Sequence, residues 1–285
     1  RYPSNIHWVD ARLRYTVSHD DNVYAAESLR KAGVDTAMVV AFAYAKNGRF
    51  DQGFETKIVK PASKAPKEIN GNVIVDEAIG VLRASAGKET GFFLWLHFYE
   101  AHYPYQKQPW SAAWSNSPHD RYLGEVRYVD EQLGRFFDEV QSLGLGDDTA
   151  IIVTADHGEE FGEHGGQWHG DLFPEDLHVP LLVFVPGMTA RRVGDTVSLV
   201  DVAPTVLDLL GVEAPDSFDG ESLLPLVDGE ARSARPAFAE LIPDQKVPRR
   251  MVTIIDGGWQ LIADFALGGR ELYHLADDPT AQPIE

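Results

Sequence analysis

Four short apolar runs punctuate the chain: "TAMVVAF" from Thr36, "FFLWLHF" from Phe92, "TAIIVTA" from Thr149 and "PLLVFVP" from Pro180. Their β-branched and aromatic content predicts buried strands. Helical patterns lie between them. "NVYAAESLRKAG" follows Asp20 and Asp21, which can cap it, and stops at Gly33; "NVIVDEAIGVLRASAG" ends in the same way at Gly87. The longest pattern, "RYLGEVRYVDEQLGRFFDEVQSLG", sets Leu123, Val126, Val129, Leu133, Phe136, Phe137 and Val140 near helical spacing and predicts a core-facing helix. Strands alternating with helices of this length imply crossover connections, hence an α/β fold with a mainly parallel sheet sandwiched by helices.

The pattern changes toward the C-terminus. After "SLVDVAPTVLDLLG", a helix with Pro204 early in its run, "MVTIIDGGWQLIADF" gives two strand-like runs around Asp256, Gly257 and Gly258, a predicted hairpin. The domain expectation is therefore an α/β domain over 1–235 and a small antiparallel subdomain over 236–285. Segment 55–71, with Pro61, Pro66 and four lysines, reads as a surface excursion. There are no repeats.

Composition narrows the partners. The chain has 285 residues, 44% of them apolar and 24% charged, enough for a substantial core. Its 25 basic against 44 acidic residues give a net charge of −19, which repels phosphate backbones and anionic lipid surfaces. No nucleic-acid partner is expected. A chain this acidic that handled anionic substrates would need local positive charge, and a bound cation is the simplest supply. No cysteine is present, so disulfides, thiolate metal sites and cysteine nucleophiles are excluded within these residues. No apolar run reaches membrane-spanning length.

Candidate chemistry concentrates at two strand ends, where ligands bind in open parallel sheets. "FFLWLHFYEAHYPY" runs into Glu100, His102 and Tyr105. "TAIIVTADHG" runs into Asp156 and His157, followed by a loop with His164 and His169 among five glycines between Val153 and Gly170. Adjacent Asp and His offer a hard oxygen and a borderline nitrogen, a set compatible with Zn²⁺, Mn²⁺, Ca²⁺ or Mg²⁺; the same pair also serves as a structural contact. Gly158 is read as permitting a sharp turn behind the pair. Of the loop histidines His169 ranks ahead of His164. Glu159, Glu160 and Glu163 are read as a solvated, helix-favouring face, because three more carboxylates would overload one site with negative charge. Trp168 is read as packing or a site wall, and His97 as a satisfied core histidine.

These residues carry a resemblance. "TAIIVTADHGEEFGEHGGQWHG", "DLFPEDLHVPLLVFVPG", "VSLVDVAPTVLDLLGV", "FDGESLLPLVDG" and "ELYHLADDP" follow one another as in the C-terminal two-thirds of a sulfatase of the alkaline phosphatase superfamily, which the chain resembles along its whole length. The resemblance implies an alkaline phosphatase-like α/β fold, a divalent metal with Ca²⁺ foremost, and covalent hydrolysis of sulfate or phosphate esters of small molecules, glycans or lipids. It implies Asp156 and His157 as metal ligands, His102 as the group that contacts the transferred group or leaving oxygen, and His169 as a further site residue. A periplasmic or extracellular location is implied as well, with any membrane anchoring left to an N-terminal segment outside this sequence.

The departures from the family pattern shape the remaining expectations. "RYPSNIHW" resembles the residues just after the family's nucleophile motif, so the nucleophile and first strand are expected upstream of Arg1, and these 285 residues alone are expected to be inactive. The lysine and histidine that many sulfatases place after the second strand are replaced by "AFAYAKNGRFDQGFE". Two alternatives stand beside sulfate hydrolysis. One is a two-metal phosphodiesterase or a phosphoethanolamine or phosphoglycerol transferase using His169. The other is a non-catalytic homologue or inactive fragment.

Overall fold

The run at Thr36 becomes the central strand of a parallel sheet because both of its faces find apolar cover. The computed structural model describes residues 22–42, 48–61, 70–108, 115–242 and 249–275. Among these, one compact unit comprises 22–149 with 210–212, and the other 150–209 with 213–275. In the first, α1 (Ala25–Lys31), β1 (Asp35–Val40), β2 (Thr56–Val59), α2 (Gly71–Ser85), β3 (Phe92–His97) and α3 (Pro118–Ser142) follow in order. The strands pair in parallel as β2-β1-β3. Val39 and Ala41 pack against Ile74, Val75, Ala78 and Leu82 of α2 and Phe136 and Val140 of α3. Met38 and Val40 pack on the opposite face with Ala26 of α1 and Phe54. Burying each large apolar side chain here contributes about 1.5–3 kcal/mol, and together they realise the expected helix-covered parallel sheet.

Details differ from the sequence pattern in instructive ways. The Glu27 carboxylate accepts the Tyr24 amide at 2.9 Å at the start of α1; Asp20 and Asp21, the expected caps, lie outside the described residues. Residues 56–59, expected as part of a surface excursion, form strand β2, which is the edge among the described residues and carries the exposed Lys57. Helix α3 begins at Pro118, with the Ser117 hydroxyl accepting the Asp120 amide at 3.1 Å. Its buried stripe is Gly124, Glu125, Tyr128, Gln132, Phe136 and Val140, whereas Leu123 and Val126 are exposed. Polar side chains thus occupy the core stripe where apolar ones were expected.

In the second unit, β4 (Ile151–Thr154) pairs antiparallel with β5 (Leu181–Phe184), Ile151 facing Phe184. This pair departs from the mainly parallel pairing expected for the apolar runs. The linking residues 155–180 hold only a single-turn helix, α4 (Pro174–Leu177), and no crossover helix that could return the chain for parallel pairing. Leu182 and Phe184 are exposed, so β5 is half-buried rather than a core strand. A 3₁₀ turn (Leu199–Asp201) leads into α5 (Val202–Leu209), and α6 (Leu224–Asp228) follows.

The C-terminal strands β6 (Ala237–Leu241), β7 (Met251–Asp256), β8 (Trp259–Asp264) and β9 (Arg270–His274) form an antiparallel meander. The predicted hairpin holds: Asp256 pairs with Trp259, and Gly257 and Gly258 between them take φ of 55° and 84°, which a two-residue turn with both central residues left-handed requires. Met251, Ile262 and Tyr273 of this sheet bury Leu172, with Phe173 and Leu177 packed alongside. The buried Gln260 amide donates to the Leu172 carbonyl at 2.7 Å. The sheet thereby fixes the end of the loop that carries the histidines.

Candidate active site

The end of β4 delivers Asp156 and His157 onto a loop held by close backbone packing. Gly158 donates its amide to the Asp176 carbonyl at 2.8 Å. A Cβ at Gly158 would overlap the Glu175 carbonyl oxygen and lie 2.9 Å from its carbon. Its φ is not left-handed, so the glycine is required by the approach of α4 and not by the sharp turn expected from sequence.

Asp156 is exposed, and its Oδ1 accepts the His157 amide at 3.1 Å. The His157 Nδ1 lies 2.7 Å from the Gly158 carbonyl. A carbonyl only accepts, so Nδ1 carries a proton, and in the neutral ring the lone pair sits on Nε2. That Nε2 is 3.9 Å from Asp156 Oδ1. Two donors at this separation, a carboxylate oxygen and a lone-pair nitrogen, fit adjacent corners of one divalent cation's shell at about 2.0–2.6 Å each. Among the described residues no group of three or more His, Asp or Glu side chains completes such a shell.

His169 joins this pair. Its ring stacks on that of His157 at 3.9 Å between centroids, and its Nδ1 lies 3.3 Å from Glu159 Oε1. The hydrogen bond to Glu159 raises the imidazole above its ordinary value, the charges of Glu159, Asp176 and Asp156 add to this, and burial opposes it. His164 is directed elsewhere: it stacks on Phe173 at 3.8 Å, with Nδ1 3.3 Å from the Glu175 carboxylate.

The acidic residues of the loop overturn the solvated-face reading. Glu159 and Glu160 are buried and lie in no helix. Glu160 Oε1 accepts the amides of His164 and Gly166 at 2.9 and 3.0 Å, and Asp176 Oδ2 accepts those of Gly170 and Asp171 at 3.2 and 3.1 Å. Burial pushes the Asp176 carboxyl up. These carboxylates are internal struts that replace a regular element, and Glu163 alone of the three glutamates is exposed. Trp168 is half exposed, with φ of 73°.

His102 belongs to the first unit, in the loop after β3. Its Nδ1 lies 2.6 Å from the Tyr103 carbonyl, which makes Nδ1 the donor of that contact. Its ring stacks on Tyr99 at 4.6 Å. His97, expected as a satisfied core histidine, is partly buried, stacks on Phe42 and meets Trp95 edge-on. Two carboxylates secure this loop: Glu100, which the sequence placed at this strand end, and Glu125, which sequence reasoning passed over. Glu100 Oε1 accepts the amides of Asn70 and Gly71 at 2.6 and 3.0 Å, capping α2. Glu125, 2% exposed, accepts the Gln106 amide at 2.5 Å. The signal for Glu125 was present, since it shares a helical stripe with Tyr128, Gln132, Phe136 and Val140.

Comparison with known proteins matches the chain to the sulfatase family model over residues 3–212 and to the model for the C-terminal part of N-sulphoglucosamine sulphohydrolase over 162–282. Choline-sulfatase of Rhizobium meliloti (strain 1021) is 32% identical over 161 residues, covering 55% of this chain and 31% of that protein. Arylsulfatase K of Bos taurus is 41% identical over 105 residues, covering 36% of this chain and 19% of that protein. The chain therefore spans under a third of either relative. Among solved structures, the phosphonate monoester hydrolase of Agrobacterium radiobacter shares the fold with a TM-score of 0.76 at 19% identity, over 93% of this chain and 76% of that one. A protein solved with its substrate D-glucosamine-2-N,6-O-disulfate does so with a TM-score of 0.75 at 19% identity, over 93% and 77%.

Proposed function

The chain belongs to the sulfatase family, and from that premise we propose that it provides the binding and proton-transfer side of a sulfuric ester hydrolase, acting on a sulfated glycan or a small sulfate ester. The observation that carries the reading is the Asp156 and His157 pair, oxygen and lone-pair nitrogen 3.9 Å apart at a strand end. These two residues would hold the metal, with Ca²⁺ the family's usual ion. When bound, the cation supplies positive charge that polarises the ester's non-bridging oxygens. The roles left to this chain's side chains are distinct. The Gly158 carbonyl orients the His157 ring, and the hydrogen bond to Glu159 favours the charged form of His169, whose positive charge would meet an anionic ester. His102, with Nδ1 engaged by its neighbour's carbonyl, gives or takes a proton at Nε2 as the leaving oxygen departs.

Turnover of an aryl sulfate by the full-length natural polypeptide tests this. Asp156→Ala is expected to lower kcat/KM at least 10²-fold and to reduce bound divalent metal; wild-type rates with wild-type metal content would end the assignment. A second reading is favoured by the Glu159 to His169 contact, because a carboxylate behind an imidazole is how metal-ligating histidines are commonly oriented. In that reading His169 holds a second ion and the substrate is a phosphate ester. Two metals per chain, with phosphate esters turned over faster than sulfate esters, would select it.

A further inference from the structure

The loop that carries His102 is anchored by a buried acid that no role above employs. Glu125 lies on the core stripe of α3, 2% exposed, in a position where an ionised carboxylate is costly unless something gains from it. Its carboxyl accepts the Gln106 amide at 2.5 Å and attracts the His102 amide at the other end of the same short span. Between them Tyr105 is buried, its ring edge-on to Tyr103 within the span and to Tyr122 of α3. On the other side of His102, Glu100 is committed to the N-terminus of α2. The backbone on either side of His102 is therefore tied to two different helices. The imidazole has little freedom beyond its own side-chain rotation, which the Tyr103 carbonyl and the Tyr99 ring further restrict.

We propose that Glu125 is a positioning residue for His102: by gathering the His102 and Gln106 amides onto one buried carboxyl, it holds the loop in the single arrangement that presents Nε2 to the substrate. The inference rests on the proposed role of His102. Fixing a proton-transfer group to within a fraction of an ångström is worth having, since displacements near 1 Å cost up to about 10²-fold in rate. Apolar packing alone would fill the space under the loop but would leave two buried amides without acceptors. A lysine or arginine could not accept them at all.

The experiment is a kinetic cycle in the full-length natural polypeptide, with an aryl sulfate as substrate. Glu125→Gln keeps an accepting oxygen in place and is expected to retain kcat within about threefold. Glu125→Asp withdraws the carboxyl by one methylene and is expected to lower kcat about tenfold with KM within twofold. In a His102→Ala background, Glu125→Asp is expected to cost nothing further, because the group it positions is gone. Equal losses in the Gln and Asp variants, or a tenfold loss that persists without His102, would overturn the positioning role while leaving that of His102 intact. Wild-type turnover by His102→Ala would instead sink the reading of His102, and this inference with it. Two-dimensional ¹H–¹⁵N spectra of the His102 imidazole give a readout independent of turnover: one set of signals in wild type and Glu125→Gln, more than one in Glu125→Asp. A single unshifted set in Glu125→Asp counts against the proposal.

Discussion

Replacing Gly158 by alanine isolates how tightly the Asp156 and His157 segment is built. The new methyl would collide with backbone, the Glu175 carbonyl oxygen and its carbon at 2.9 Å, with Asp176 Cα at 3.3 Å behind them. No rotamer relieves this, so α4 or the β4 end must move by roughly 1 Å. Such overpacking costs about 1–3 kcal/mol. Movement also stretches the 2.8 Å bond from the Gly158 amide to the Asp176 carbonyl and draws Asp176 from the two amides it accepts, adding about 1–2 kcal/mol. Alanine restricts the unfolded chain and returns about 0.4–1 kcal/mol. The net expectation is a destabilisation of about 1–5 kcal/mol, read from urea denaturation with an unchanged slope, together with weaker divalent metal binding by calorimetry. Gly194→Ala is the control, since a Cβ there meets nothing within 4 Å, and it should stay within about 0.5 kcal/mol of wild type. If Gly158→Ala matched the control in both measurements, the packing argument would be wrong.

Other expectations follow from the same geometry. Burial raises the Glu125 carboxyl from 4.5 to about 7, so the stability it contributes is complete below pH 4.5 and lost as pH rises through about 7. Glu125→Gln cannot ionise, and its stability relative to wild type should rise by up to about 3 kcal/mol between pH 4.5 and 8; parallel pH curves in urea denaturation would contradict this. His169 is raised by Glu159, so its contribution is complete below 6.5 and fades as pH rises through the folded value. Glu159→Gln should lower the midpoint of the His169 imidazole titration followed by NMR, and an unchanged midpoint would remove the pair from the account. Gln260→Ala leaves the Leu172 carbonyl unsatisfied and opens a hole at a fully buried position. A loss of about 2–4 kcal/mol is expected, with faster amide exchange in 169–177; unchanged exchange there would show that the contact does not hold the loop.

The sequence was most legible where period and burial agree. β1 could be read because Met38, Val39 and Val40 are covered on both faces, and the β7–β8 hairpin because Gly257 and Gly258 supply the backbone angles its turn demands. The edge strand β2 was obscured because an edge needs no unbroken apolar run and tolerates Lys57. On α3, apolar spacing misplaced the buried stripe, since Glu125 and Gln132 lie inside it while Leu123 and Val126 do not. At the site, the tight succession of Asp156, His157 and a loop imidazole was readable as a local cluster; the folded loop sets His157 3.9 Å from Asp156 and stacks it on His169, and among the described residues no group of three completes a metal shell. What could not be read was the supporting layer. Glu159, Glu160 and Asp176 look like surface acids in one dimension, and only the folded loop turns Glu160 and Asp176 onto backbone amides and Glu159 onto the His169 ring.

The Gln260 amide reaches a carbonyl 88 residues earlier in the chain, and this sets an order of events at the ribosome. When Leu172 and Phe173 leave the exit tunnel, the strands that will cover them have not yet been translated. The histidine-bearing segment must therefore wait, its apolar end uncovered, for the later-made meander to arrive. A stop codon or frameshift beyond residue 240 would spare every candidate ligand and still deprive that segment of its clasp.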